Sequence, residues 1–246
     1  APMPDVAPPP PVRLTETVSL FHEDNYARVP MLTMAWPTVP VYHPDQYSID
    51  VLAQLLTDGK STPFYEVLVE DAEVAPSVFA SQRNMELAGR FTLSVRAFAG
   101  MDLDQVAAAI DVAFDRFETE GVPAGELERI KAGYETDFYS GLSSVLGKAF
   151  QLAQYNIFAG EPGYAATDLE RLLAVTEADV IRVYELYVKD RPAVLTSFVP
   201  RGEVGLVLEG AERAEVVEEA IVMGAETEIA EIVRGDARTP SEIDRS

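Results

Sequence analysis

The sequence contains no cysteine and only two histidines, and both shortages exclude particular kinds of site. Without cysteine the chain can form neither a disulfide, nor a thiolate metal site, nor a cysteine nucleophile, and no redox compartment is indicated. The two histidines, His22 and His43, stand 21 positions apart. A helical zinc site needs two imidazoles about four residues apart on one face, with a carboxylate beside them. We therefore predict no metal site and no bound cofactor in this chain.

Each histidine has a simpler interpretation than catalysis. The run His22-Glu23-Asp24 resembles a ligand cluster only superficially, and exposed polar residues at a strand edge explain it better. His43 precedes Pro44, a residue that suits the first turn of a helix, so His43 is interpreted as the entry to a helix.

Other catalytic motifs are missing as well. The sequence has no Gly-x-Ser-x-Gly elbow. Asp-Gly-Lys-Ser at 58–61 ends like a phosphate-binding loop, but it lacks the earlier glycine and lies between two predicted helices. The neighbouring acids Glu70 and Asp71, like Glu218 and Glu219, arise readily by chance among 41 acidic residues, so we interpret them as solvated surface. We predict no catalytic residue.

Basic residues are scarce relative to acidic ones, 19 against 41, which gives a formal net charge of −22. Binding to nucleic acid or to an anionic bilayer is therefore not expected. There is no apolar run long enough to span a membrane, and the Ala-Pro-Met-Pro start lacks the pattern of a signal peptide. The acidity fits two interpretations equally: a surface typical of many bacterial proteins, or adaptation to high salt.

Hydrophobic periodicity predicts strands and helices in mixed order. Phe91, Leu93 and Val95 alternate with polar residues, which is typical of a strand with one covered face. The predicted strands are 29–36, 74–80, 91–98 and 193–199, and the predicted helices are 44–58, 62–69, 102–118, 125–158, 165–173 and 177–188. Because regular βαβ alternation is absent, we predict an α+β fold in which helices pack on one face of a largely antiparallel sheet.

Composition divides the chain into three parts. Residues 1–19 contain six prolines and are predicted to form an extended interdomain linker. Residues 20–207 are predicted to form the α+β domain. Residues 208–246 are predicted to form an acidic extension, with an amphipathic helix at 213–232 followed by a tail. Such ends indicate connectors to further domains.

Several segments carry a family resemblance when they are taken in order. They are Leu-Leu-Thr-Asp-Gly-Lys-Ser at 55–61, Phe-Tyr-Glu-Val-Leu-Val-Glu at 64–70, Val-Ala-Pro-Ser-Val at 74–78, Glu-Leu-Glu-Arg-Ile-Lys at 126–131 and Val-Thr-Glu-Ala-Asp-Val at 175–180. Together, over about residues 20–200, they resemble the non-zinc domain of one half of the insulinase/pitrilysin-like zinc metallopeptidases, which include the mitochondrial processing peptidases.

The resemblance implies a clamshell architecture. In this family, homologous α+β domains pair into lobes that close around an unfolded peptide, and one domain binds zinc through His-x-x-Glu-His and a distant glutamate. This chain contains no His-x-x-Glu-His. Some members hold the substrate backbone with an arginine and a tyrosine where this chain has Val69 and Pro76. No catalytic, metal or substrate-binding residue of the family therefore carries over.

The resulting hypothesis is a non-catalytic domain of a zinc-dependent metallopeptidase. It would help to form the chamber for unfolded peptide and would pack on a zinc-bearing domain or subunit of the same family. Zinc would lie in that separate domain, and this chain alone would not be an enzyme. The alternative is a catalytically dead scaffold or assembly subunit of the same fold, like the core proteins of the bc1 complex. A hydrolase that uses acids alone is a third, minor hypothesis.

Two sets of apolar residues are candidates for contacts with other domains. Met31, Met34 and Trp36 lie near the N-terminal connector and are expected to leave apolar surface, unless they belong to the core. We also expect an exposed strand edge or sheet face that could receive an extended peptide. The aromatic residues of the predicted long helix are interpreted as core and inter-lobe packing rather than a cofactor pocket: Tyr134, Phe138, Tyr139, Phe150, Tyr155 and Phe158.

Overall fold

The computed structural model of the chain describes residue 10 and residues 12–216. The chain divides into a compact unit, Ala1–Ala214, and a second unit, Glu215–Ser246, almost all of which lies outside the described residues. All helices and strands of the described residues belong to the first unit.

The predicted termini are described only in part. Most of the acidic helix predicted at 213–232 lies outside the described residues, and Arg213 itself belongs to a short strand. The linker predicted at 1–19 is described at residue 10 and from residue 12 onward, and a strand begins at Val18.

A six-stranded sheet organises the unit, in the order β3-β4-β2-β5-β1-β6. The strands are β1 (Val18–Asp24), β2 (Met31–Thr38), β3 (Ser77–Asn84), β4 (Gly89–Arg96), β5 (Val194–Pro200) and β6 (Glu212–Arg213). The neighbours from β3 to β5 are antiparallel, whereas β1 is parallel to both β5 and β6. The mostly antiparallel sheet of an α+β fold is thereby confirmed, and the sequence analysis missed β1 and β6.

Strand alternation separates the two faces of the sheet. In β2, Leu32, Met34 and Trp36 are all buried, and their partners in β4 on the same face are buried too. Thr33 and Ala35 point to the opposite face and remain partly exposed. Met34 and Trp36 are therefore core residues, and the expectation that they leave apolar surface is wrong.

The helices cover the apolar face of the sheet. They are α1 (Gln46–Thr57), α2 (Pro63–Tyr65, continued by a π-helical segment Glu66–Asp71), α3 (Leu103–Glu120), α4 (Glu126–Gly141), α5 (Val145–Gln154, continued by a π-helical segment Tyr155–Ala159), α6 (Ala165–Leu173) and α7 (Glu177–Tyr187). Helices α1, α2, α3 and α7 contact strands, whereas α4 and α6 pack on α1. One hydrophobic cluster joins sheet and helices, and its fully buried members include Phe64, Phe91 and Phe117.

Local signals fix the start of α7 as predicted. The Thr176 hydroxyl accepts a hydrogen bond from the Asp179 backbone N–H at 3.2 Å. In return, the Asp179 carboxylate accepts from the Thr176 backbone N–H at 3.1 Å. This reciprocal capping box satisfies two N–H groups that the first helical turn would leave without partners.

The long helix predicted at 125–158 is wrong, because the chain breaks between α4 and α5 at 142–144. Ser144 caps the start of α5, and its hydroxyl accepts a hydrogen bond from the Gly147 backbone N–H at 2.8 Å. Gly147 lies so close to the carbonyl oxygen of Gly141 that a Cβ would collide with it. The break therefore depends on a glycine at 147.

This break separates two different helix faces. Leu127 and Ile130 of α4 are buried in the core, whereas Val145, Phe150 and Leu152 of α5 are exposed. The apolar residues of the predicted long helix therefore do not share one inner face. Among the described residues, no helix has both the length and the apolar composition required to cross a bilayer.

Candidate functional site

The two histidines do not converge on a common site. His22 lies in β1, where its ring stacks on Phe198 at a centroid distance of 5.6 Å. Glu23 is bound by Arg213 and by the Gly202 backbone N–H, and these contacts hold the pKa of Glu23 below its ordinary value. Because successive strand residues point to opposite faces, neighbours in the run from 22 to 24 cannot act as a common ligand set.

His43 is placed at the entry to α1, as the sequence analysis proposed. Its Nδ1 accepts a hydrogen bond from the Asp45 backbone N–H at 3.1 Å. Asp45 in turn accepts from Arg182 and Tyr187, each at 2.7 Å. Across residues 12–216, no group of three or more histidine, aspartate or glutamate side chains is placed to hold a metal ion.

The Asp-Gly-Lys-Ser turn and Asp71 have structural roles. Residues 58–61 form the turn between α1 and α2, where Gly59 has a φ of +121° and its carbonyl oxygen accepts from the Thr62 hydroxyl at 2.9 Å. Asp71 pairs with Arg116 at 3.3 Å, so this acid belongs to a surface ion-pair network. The pair at 218 and 219 lies outside the described residues. At the positions of the family's substrate-holding pair, Val69 is half-buried and Pro76 is exposed.

The sheet face opposite the helices is polar and open. It presents a row of hydroxyls from the central strands, and Thr33 Oγ1 lies 3.4 Å from Ser94 Oγ. A groove of about 300 Å³ lies at one end of this face. Its lining combines charged groups, among them Asp24 and Arg96, with the exposed ring of Tyr26. Hydroxyl and guanidinium donors beside an aromatic ring can bind peptide carbonyls and side chains without strict sequence preference.

The edges of the sheet are only partly available. At the β3 edge, the Ala80 backbone N–H points away from β4 and donates to the Thr57 hydroxyl at 3.0 Å. A groove of about 430 Å³ runs beside this edge between β3 and α4, with the exposed Phe79 on its rim. The other edge is β6, which contains only two residues. An added strand could therefore not pair with the Ala80 backbone N–H, so the β3 edge is not free along its whole length.

Helix α5 is held on the domain by polar groups. The Asp168 carboxylate accepts hydrogen bonds from the hydroxyls of Tyr47 at 2.6 Å and Tyr155 at 2.7 Å. Gln151 of α5 donates to the same Tyr155 hydroxyl at 3.1 Å. The ring of Tyr155 also packs against Tyr42, at a centroid distance of 5.5 Å. We call this group the Asp168 clasp.

The apolar side of α5 faces away from the domain. None of its residues is buried, and Val145, Leu146 and Phe150 are 86%, 67% and 65% exposed. At about 3.6 residues per turn, its apolar residues occupy one continuous arc of about 160°. We call this arc the α5 face, and its members are Val145, Leu146, Ala149, Phe150, Leu152 and Ala153.

The predicted aromatic set thus divides between core and surface. Tyr155 is buried in the Asp168 clasp, and Tyr134 packs against the core. Tyr139, Phe150 and Phe158 are exposed on the described part of the chain. The core role is confirmed for Tyr155 and Tyr134, and inter-lobe packing of the exposed residues stays a prediction.

A small cavity lies between α1, α4 and α6, beside the Asp168 clasp. It measures about 230 Å³, and its lining includes Asp50, Tyr134, Asp137 and Asp168. Burial, followed by the nearby charge of Asp168, raises the pKa of Asp50 to about 7. Sequence reasoning did not single out Asp50, because a lone acid within a helix carries no motif.

Comparison with known proteins gives one family and one curated relative. The sequence profile of the family described as the peptidase M16 inactive domain matches residues 1–134. The zinc protease PqqE of Helicobacter pylori is 25% identical over 164 residues, which is 66% of this chain and 36% of that protein. The chain therefore spans well under half the length of this relative.

Solved structures share the fold. A protease of Helicobacter pylori matches with a TM-score of 0.67 at 19% identity, covering 80% of this chain and 48% of that one. A chain of complex III2 from Candida albicans matches with a TM-score of 0.59 at 15% identity, covering 73% and 45%. In both cases this chain corresponds to less than half of the matched chain.

Proposed function

Because the chain belongs to the family of peptidase M16 inactive domains, we propose that it is the non-catalytic domain of a zinc-dependent peptidase. In that role it packs on a zinc-bearing domain of the same family and forms part of the wall of a chamber for unfolded peptide. Catalysis belongs to the companion, since His22 and His43 lie apart in the described structure and zinc sites of this kind need converging imidazoles.

The open face of the sheet carries this proposal. A chamber wall must bind many peptide sequences, so its contacts should be to main-chain groups and should stay exposed in the domain itself. The groove beside Tyr26 and Arg96 is open to solvent, and the half-buried hydroxyls of Thr33 and Ser94 lie on the same face of the sheet. Helices cover only the opposite face within residues 12–216, so nothing described here blocks the approach of a peptide.

Reconstitution tests the proposal directly. The zinc-bearing domain of the parent protein would be assayed on a fluorogenic unfolded peptide, alone and with this chain. We expect turnover to need both components. This chain alone should bind no stoichiometric zinc after dialysis and cleave no peptide. One zinc per chain with chelator-sensitive turnover in this chain alone would refute the assignment of catalysis to the companion.

Point variants separate the wall role from simple support. Arg96→Ala and Tyr26→Ala should raise KM for peptide several-fold in the reconstituted enzyme with kcat little changed. The lost contacts would hold the bound peptide equally well before and during the reaction. Lys60→Ala changes an exposed cation in the turn after α1 and serves as the control. Unchanged KM in both wall variants would remove the open face from the substrate path.

A scaffold or assembly subunit is the second candidate function. The observation that favours it is the fold shared with a chain of complex III2 from Candida albicans. The two functions differ in the reconstitution experiment. If the zinc-bearing domain cleaves unfolded peptide at its full rate without this chain, the scaffold function is favoured.

A further inference from the structure

Helix α5 turns its apolar side to the solvent, whereas the other long helices of the unit bury apolar residues in the core. Its polar and aromatic side is bound by the Asp168 clasp, through Gln151 and Tyr155. Its apolar arc points outward, and the exposure continues past the helix to Ile157, which is 67% exposed. A surface helix normally turns its apolar stripe toward its own core. The orientation of α5 is therefore fixed by specific bonds that present the apolar side to something else.

Two possible occupants of the α5 face are disfavoured by charge and geometry. A second copy would bring another molecule with a net charge of −22, so association through this face would work against mutual repulsion. An anionic bilayer would be repelled for the same reason. In addition, α5 spans only Val145–Gln154 and carries a single cation, Lys148, which is too little for an interfacial anchor.

The length of the related proteins indicates the third occupant. This chain corresponds to 36% of the curated relative and 48% of the solved Helicobacter pylori protease. Such proteins therefore contain at least as much further chain, which can supply an apolar partner surface within the same molecule. An intramolecular or obligate partner also explains why exposed apolar side chains are tolerated, because obligate interfaces are rich in them.

We propose that the α5 face is the docking surface for the companion domain, and that the Asp168 clasp holds α5 with this face outward. The inference rests on the proposed function, in which the companion is the zinc-bearing domain. The inference goes beyond that function by naming the α5 face as the part of this chain that contacts the companion domain. Phe150, Leu146 and Val145 form the centre of the contact because they are its largest exposed apolar groups.

Single-cysteine protection tests the assignment with little disturbance, because the natural chain has no cysteine. Ala153→Cys places a thiol on the α5 face, and Val112→Cys places one on the exposed side of α3, where Val112 is 55% exposed. We expect alkylation of Ala153→Cys by a maleimide to slow about tenfold or more when the companion domain is added. Alkylation of Val112→Cys should keep its rate.

A second pair of variants measures the energy of the contact. Phe150→Glu should weaken binding of the companion domain about tenfold or more, since a charge is placed in an apolar contact. Val112→Glu is the matched control and should leave the affinity unchanged. Circular dichroism melts of each variant alone establish that it is folded before binding is measured.

The outcomes separate this inference from the proposed function. If the companion binds and activity needs both, but Ala153→Cys stays reactive and Phe150→Glu binds normally, the docking assignment is overturned while the proposed function stands. If the companion does not bind the unaltered chain, the proposed function fails and the inference fails with it. Protection of Ala153→Cys in this chain alone that rises with protein concentration would identify a second copy as the occupant and overturn the inference. Protection by anionic vesicles would overturn it in favour of a membrane.

Discussion

Asp50 is an acidic residue in a desolvated position, and this position makes the stability of the chain depend on pH. It lines the cavity between α1, α4 and α6, and burial followed by the charge of Asp168 raises its pKa from 3.8 to about 7. The folded state therefore holds this proton more tightly than the unfolded state does. The stability that the residue contributes is complete below about pH 4 and is lost as the pH rises through 7.

We predict that Asp50→Asn stabilises the chain at pH 8, by roughly 1–3 kcal/mol, because each pH unit between folded and unfolded pKa is worth about 1.4 kcal/mol. The gain should shrink as the pH falls from 7 to 4. Urea unfolding of the variant and the natural chain at several pH values measures it. Asp137→Asn, an exposed acid on the same cavity, is the control. A gain that is equal at pH 4 and pH 8 would show that Asp50 is not protonated by folding.

The same residue shows where sequence reasoning stops. The capping box of Thr176 and Asp179 has a local signal, because the two residues are three positions apart in the sequence, and the structure contains both bonds. Asp50 and Asp168 meet only because α1 and α6 pack together, 118 positions apart in sequence. No spacing rule brings such a pair together, so neither the raised pKa nor the Asp168 clasp could be predicted.

At the scale of elements, α5 contrasts with α3. Phe117 of α3 is 1% exposed and belongs to the core, whereas Phe150 of α5 is 65% exposed. We predict that Phe117→Ala lowers the free energy of unfolding by about 3–5 kcal/mol, because it leaves a cavity. Phe150→Ala should change it by less than about 0.5 kcal/mol, as is usual for exposed positions.

Urea unfolding of the two variants of the isolated chain decides this contrast. Both remove the same side chain from a helix, so the difference reports burial and not helix propensity. A loss of more than about 2 kcal/mol in Phe150→Ala would mean that another part of this same chain covers the α5 face.

Helices and strands were predicted correctly where one of their faces is buried in the core of this unit. Strand β4 alternates buried and open residues, and its period of two was visible in the sequence. Strand β1 was missed because apolar Leu20 and Phe21 are adjacent, so its two faces carry no clean alternation. The apolar residues of α5 were also visible in the sequence, but their spacing alone could not show that they are exposed.

At the scale of the whole molecule, the fold class followed from the order of elements and the family resemblance, and both agree with the comparisons. The parallel pairing of β1 with β5 and β6 did not follow, because it joins the first strand to the last ones. This pairing joins residues that are far apart in the sequence, and local sequence patterns carry no information about it. What the order of elements does establish is one core, with helices on one side and a polar face on the other.

The net charge is the remaining property of the whole molecule, and it predicts how stability responds to salt. Even if every one of the 19 basic residues paired with an acid, 22 of the 41 acidic residues would stay uncompensated. Salt weakens surface ion pairs such as Arg116 with Asp71, but exposed pairs contribute only about 0–1 kcal/mol each. Their loss is outweighed by relief of the general repulsion, since the screening length falls from about 10 Å at 0.1 M to about 3 Å at 1 M.

We therefore predict that the melting temperature rises from low salt to molar sodium chloride. Asp111→Asn provides a matched test, because burial and the neighbouring Asp115 raise the pKa of Asp111 and thus mark it as a strained charge. The variant should be more stable than the natural chain at low salt. The part of this gain that comes from repulsion by Asp115 should disappear at 1 M, whereas the larger part, which comes from desolvation, should persist. A melting temperature that is flat or falls with salt would contradict self-repulsion as the limiting term. A gain in Asp111→Asn that does not change at all between low salt and 1 M would show that repulsion by Asp115 contributes nothing to it.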